Sequence, residues 1–159
     1  MLSLPGARAV MPLLARPLRL VPHPAQRVPL QLALEQVFRA SVAEGDLAFL
    51  EERCMAIEID DAGWRWPIRL SRGRLQVLAR DDRADVTIRG QSADFLAMVA
   101  RFEDPDTLFF QRRLVIEGDT ELGLGMKNFL DGLDEEGLPL PVQHALQLLR
   151  GVAARFQPR

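Results

Sequence analysis

Between Cys54 and Gly90 apolar side chains recur at every second position, in four successive segments. Met55, Ile57 and Ile59 form the first set, and Trp64, Trp66, Ile68 and Leu70 the second. Leu75, Val77 and Ala79 follow, then Val86 and Ile88. A period of two is the signature of strands with one buried face, and it tolerates no helical reading. The connections at Asp60–Gly63, Ser71–Gly73 and Asp81–Arg83 are polar and of turn length, which predicts hairpins. Pro67 removes a ladder donor, so its strand is expected at an edge or bulged.

On both sides the period returns to that of a helix. Leu30, Leu34, Val37, Phe38, Ser41 and Val42 share a face, predicting a helix from about Pro29, with a short helical turn over Leu47–Glu52 after Gly45-Asp46. After Gly90, Phe95, Met98 and Val99 mark a second helix with Ser92 as its expected N-cap. A fifth strand is expected at Leu114–Glu117, and Asp119 is placed to cap a helix carrying Leu122, Met126, Phe129, Leu130 and Leu133. Beyond Asp134-Glu135-Glu136-Gly137, Val142, Leu146, Leu149 and Val152 outline a C-terminal amphipathic helix. Strands in a block, flanked by helices, define an α+β chain: a five-stranded, largely antiparallel sheet covered by helices on one face.

The helix after Asp119 holds an anomaly. Gly123 and Gly125 lie in its first turns, each costing about 1 kcal/mol relative to Ala. Missing side chains in a buried helix leave room for a close neighbour or for a guest. With the Leu, Phe and Met of the helix faces and the aromatics at Trp64, Trp66, Phe109 and Phe110, two readings stand: a filled core, or a slot for a long apolar ligand.

The sequence offers little chemistry. His23 lies between prolines, His144 lies on a helix, and neither has a partner at metal-ligand spacing. The single cysteine, Cys54, excludes an internal disulfide framework and points to a reducing, cytosolic setting. Ser3, Ser41, Ser71 and Ser92 lack any nucleophile context. Gly118 to Gly123 has the glycine spacing of a phosphate loop, but Leu124 stands where the lysine would be. No enzyme, metal or cofactor is expected.

Charge is unevenly spread along the 159 residues. No carboxylate precedes Glu35 or follows Glu136, while Arg8, Arg16, Arg19 and Arg27 lie at one end and Arg150, Arg155 and Arg159 at the other. The acidic middle argues against nucleic acid as the main partner. The first 28 residues read as a basic amphipathic arm, with no apolar run long enough to span a bilayer. On a helical wheel Val10, Leu13, Leu14, Pro17, Leu18 and Val21 face one way and Arg8, Arg16 and Arg19 the other. That pattern fits an anionic membrane surface or a second subunit in a homodimer; packing on the arm's own domain and organelle targeting are the alternatives. Pro12 and Pro17 weaken the helix.

"ADVTIRGQSADFLAMVAR" and "LFFQRRLVIEGDTELGLGMKNFLDGL" together resemble the C-terminal half of the sterol carrier protein domain, the likeness extending over about residues 30–135. The resemblance implies a sheet-and-helix fold around an apolar tunnel, lipid carriage and no covalent catalysis. It divides the chain into an arm (1–28), a lipid-binding domain (29–135) and a C-terminal helix (136–159). Lipid contacts are expected from Leu34, Phe38, Trp66, Phe95, Met98, Phe109, Phe110, Leu122, Gly125, Met126 and Phe129, and membrane contacts from Arg8, Val10, Leu13, Leu14, Arg16, Leu18 and Arg19. Within that family, "FFQRRLVIEGDTELG" and the basic arm resemble accessory factors of bacterial ubiquinone biosynthesis. This implies polyprenylated quinone intermediates as ligands, peptidase-family hydroxylation partners of the oxygen-independent pathway, and a cytoplasmic protein peripheral to the inner membrane. A general lipid or fatty-acyl carrier and a membrane-tethered scaffold without ligand are the alternatives.

Overall fold

The computed structural model describes residues 16–133 and 135–155. Each period-two segment is a strand: β1 (Cys54–Ile59), β2 (Trp64–Ser71), β3 (Arg74–Val77) and β4 (Val86–Gly90), with β5 (Leu114–Gly118) following later. They form one sheet in the order β3-β2-β1-β4-β5. The pairs β1·β2, β2·β3 and β4·β5 are antiparallel, whereas β1·β4 is parallel.

The parallel pair corrects one expectation, since Asp81–Arg83 does not close a hairpin. Residues 78–85 instead carry the chain across β2 and β1 on the side away from the helices. Leu78 N donates to Pro67 O, and the Arg65 guanidinium donates to the carbonyls of Arg80 and Asp82. Asp85 then exchanges two hydrogen bonds with Cys54, donating from its N to Cys54 O and accepting from Cys54 N through its carboxylate. Ala56 and Pro67 are fully buried on this face.

Pro67 is also corrected, because β2 is an interior strand. Its carbonyl meets Leu78, just beyond the last residue of β3. In an antiparallel strand a residue's N and O face the same neighbour. The proline nitrogen therefore faces Leu78 at the end of the β2·β3 ladder, where only the terminal reciprocal bond is forgone.

The helices are α1 (His23–Val37), α2 (Arg39–Glu44), α3 (Ser92–Val99), α4 (Pro105–Phe110), α5 (Thr120–Gly132) and α6 (Leu140–Arg155), with 3-10 turns at Ala48–Leu50 and Glu135–Gly137. α1 starts at His23 rather than near Pro29. Pro24 sits in its first turn, where a missing N–H costs nothing, and Pro29 is carried inside the helix. Gln91, not Ser92, is the N-cap of α3; Ser92 N and Oγ both donate to the Asp61 carboxylate of the β1–β2 turn. Asp119 caps α5 as expected, accepting from Leu122 N at 3.0 Å.

α1 is fastened along β3. The Gln31 carboxamide donates to Leu75 O at 2.6 Å and accepts from Val77 N at 2.6 Å, and Arg27 Nε donates to Val77 O at 2.6 Å. At the other edge Arg113, just before β5, holds α3 through two bonds to Asp94 Oδ1 (2.8 and 2.6 Å) and also pairs with Glu103. The described end of the arm lies on the sheet: Trp64 Nε1 donates to Leu18 O at 3.0 Å and Arg19 Nε to Asp61 O at 2.7 Å. Arg8, Val10, Leu13 and Leu14 lie outside the described residues. No helix among the described residues is long and apolar enough to cross a membrane.

Candidate functional site

The helix-facing side of the sheet is built by alternation. Met55, Ile57 and Ile59 of β1, Trp66 and Ile68 of β2, Leu75 of β3 and Ile88 of β4 all point to it. Above them the helices do not close completely, and a cavity of about 400 Å³ remains. Leu34, Val37 and Phe38 bound it on one side, Phe95 and Met98 of α3 on another, and Met126, Phe129 and Leu130 of α5 above. Leu138, Val142 and Leu146, from the approach to α6 and from α6 itself, complete the wall.

The lining is almost entirely hydrocarbon. Among the described residues of the lining, only Arg101 and Glu135 carry charge. Glu135 is matched by Arg150, whose Nη1 and Nη2 reach its two oxygens at 3.0 and 2.7 Å while Nε donates to Ala100 O at 2.7 Å. Arg101, in the left-handed region at φ 57°, donates to Leu133 O. These bonds tie the α5–α6 connection and α6 to the end of α3. Trp66 keeps its ring in the wall by donating from Nε1 to Gln26 Oε1 at 2.8 Å.

Seven of the eleven residues expected at a ligand site line this cavity: Leu34, Phe38, Trp66, Phe95, Met98, Met126 and Phe129. The other four lie elsewhere. Phe110 is 90% exposed, and Phe109 packs among the core side chains. Consecutive residues of a helix point about 100° apart, so α4 cannot turn both rings inward. Leu122 is buried in the main core. Gly125 faces Phe49, whose Cδ2 would lie 2.8 Å from an added Cβ, and Gly123 faces Ile116 Cγ2 at the same distance. Both glycines thus let a neighbouring side chain approach the helix closely. Apart from Trp66, the wall residues from the strands and from α6 are not among those expected from the sequence. Their alternation and amphipathic spacing were visible, but not which element would cover them.

Among the described residues, no histidine, cysteine or serine lines the cavity. Cys54 is buried on the opposite face of the sheet, and burial pushes its thiol pKa up. His23 is half-buried at the start of α1, where desolvation and then Arg27 hold its pKa below the usual imidazole value. His144 is exposed on α6. Among the described residues no three His, Cys, Asp or Glu side chains gather as metal ligands would. The arrangement can enclose apolar matter. A cavity of about 150 Å³ takes one benzene, so this one takes on the order of sixteen carbons.

The SCP-2 sterol transfer family matches residues 30–131, and the chain belongs to that family. Over 127 residues it is 43% identical to the ubiquinone biosynthesis accessory factor UbiT of Escherichia coli (strain K12), covering 80% of this chain and 72% of that protein. UbiT of Escherichia coli O157:H7 is similar to the same extent. Among solved structures, the UbiJ-SCP2 ubiquinone synthesis protein superposes with a TM-score of 0.55 at 16% identity, over 70% of this chain and 93% of its own. At that identity the likeness concerns the fold.

Proposed function

We propose that this protein is a non-catalytic accessory factor of ubiquinone biosynthesis that holds the polyprenyl tail of quinone intermediates in its cavity and presents their head groups to pathway enzymes. The observation that carries the reading is the hydrocarbon lining of a cavity large enough for about three isoprene units. The similarity to UbiT, a ubiquinone biosynthesis accessory factor, directs it to ubiquinone intermediates. The proposal extends to the oxygen-independent pathway, with partners of the UbiU and UbiV kind, on the sequence resemblance alone. Burial stabilises a tail by about 0.8 kcal/mol per methylene relative to water. A bilayer offers nearly the same, so exchange between bilayer and cavity is close to balanced, as a carrier requires.

The same reading gives the arm (1–28) membrane contact, the segment 29–135 the lipid, and the C-terminal segment 136–159 the closing wall, with the protein cytoplasmic and peripheral to the inner membrane. Native mass spectrometry with lipid extraction, on protein purified from quinone-producing cells, tests it. A prenylated aromatic is expected. An acyl lipid in its place selects the general carrier, for which the cavity size is equally suitable, and an empty protein selects the scaffold. Replacing His23, Cys54 and His144 together by Ala is expected to leave quinone synthesis intact; loss of it in a folded protein overturns the non-catalytic assignment.

A further inference from the structure

The outer face of α1 is apolar and uncovered among the described residues. Its inner face gives Leu34 and Val37 to the cavity, while Val28 and Leu32, one turn apart, are 63% and 61% exposed. Leu20, just ahead of the helix, is 85% exposed. No acid precedes Glu35 in the sequence. Arg19 and Arg27 donate to main-chain carbonyls, of Asp61 and Val77. An apolar ridge beside cations is the complement of an anionic lipid surface.

A second opening lies beside this ridge. A groove of about 790 Å³ runs between Leu32, Glu35, Arg39 and Val42 on the helices and Arg74 and Leu75 of β3, with the Glu35 carboxylate paired to Arg74 at 3.2 Å. Leu34, Phe38 and Leu75 line both the groove and the cavity, so these three side chains are the wall between them. Phe38 sits where α1 stops and α2 starts, at φ −102° and ψ 13°, and its ring meets that of Phe129 at 5.7 Å. A side chain at a helix break can turn without unseating α1, which Arg27 and Gln31 hold to β3.

We propose that α1 docks by its outer face on an anionic bilayer, and that the apolar chain passes between bilayer and cavity through this groove, past the Phe38 ring. The inference rests on the lipid-carrier reading and gives it a route.

The test uses the full chain, phosphatidylglycerol-containing vesicles carrying a fluorescent prenyl lipid, and equilibrium loading from detergent micelles as the control. Val28→Asp with Leu32→Asp places two anions on exposed positions. It should lower flotation and vesicle transfer by at least about tenfold, with micelle loading unchanged. Val42→Trp narrows the groove without touching the cavity lining; it should float as the parent does but transfer several-fold more slowly. Parental transfer rates in either variant overturn the route. A double aspartate variant that still floats overturns the docking and assigns the α1 face to a protein partner. A parent protein that takes up no lipid from micelles sinks the carrier reading itself, and the route with it.

Discussion

Gly125 of α5 lies against the ring of Phe49: a Cβ on Gly125 would stand 2.8 Å from Cδ2 and 3.0 Å from Cγ. Alanine there offers about 1 kcal/mol in helix propensity but forces the whole ring aside, an overpacking that costs about 1–3 kcal/mol. Gly125→Ala is therefore expected to lose about 1 kcal/mol net in denaturant unfolding, and Gly125→Leu more. Bound lipid should fall less than stability does, because the ring displaced is that of Phe49, which is not part of the cavity wall. Lipid loss at unchanged stability would return this glycine to the ligand site.

Val142 projects from α6 into the cavity wall. Val142→Trp should fill part of the space and cut co-purified lipid several-fold, at a stability cost below about 1.5 kcal/mol because α6 is peripheral. Native mass spectra of parent and variant, read against their melting curves, check both halves of this expectation.

Arg113 pairs with two buried carboxylates, Asp94 and Glu103, whose side chains are 2% and 7% exposed. Arg113→Met leaves those acids facing an apolar residue and should cost about 3–5 kcal/mol, seen as a large fall in the denaturation midpoint. Replacing all three by apolar residues of similar volume should recover much of the loss.

The Asp119 carboxyl is held below the ordinary carboxylate range, first by the N–H of Leu122 and then by Arg53. A depressed folded-state pKa contributes stability that is fully present above the unfolded value, near ~4, and is lost as pH falls through the folded one. The melting temperatures of the parent and Asp119→Ala should thus differ by a constant amount at neutral pH and converge in acid. A gap that persists unchanged at low pH would show that the cap works without its charge.

The strands were legible because alternation is local: Met55, Ile57 and Ile59 announce their common face within five residues. The place of β4 was not, because Met55 meets Val86 across thirty residues and no spacing records that choice. The polarity of Asp81–Arg83 fits a hairpin and a crossing strap equally well; what decides is the pair of bonds between Asp85 and Cys54. Gly123 and Gly125 revealed that something comes close, but not that it is Ile116 and Phe49. Likewise Val142 and Leu146 displayed an apolar helix face whose counterpart lies far back in the chain, on the sheet.

The side chain of Gln31, finally, does for β3 what a sixth strand would do. Its amide nitrogen and oxygen take up the carbonyl of Leu75 and the N–H of Val77 at the sheet's outer margin. A margin filled in this way offers no template to an extended segment of another molecule. Removing the amide, as in Gln31→Leu, would turn β3 into a site where copies of the chain could stack into aggregates. It also sets how the cavity can open: a helix that lifted off bodily would uncover that sticky margin, whereas one that bends beyond Gln31 keeps it sealed.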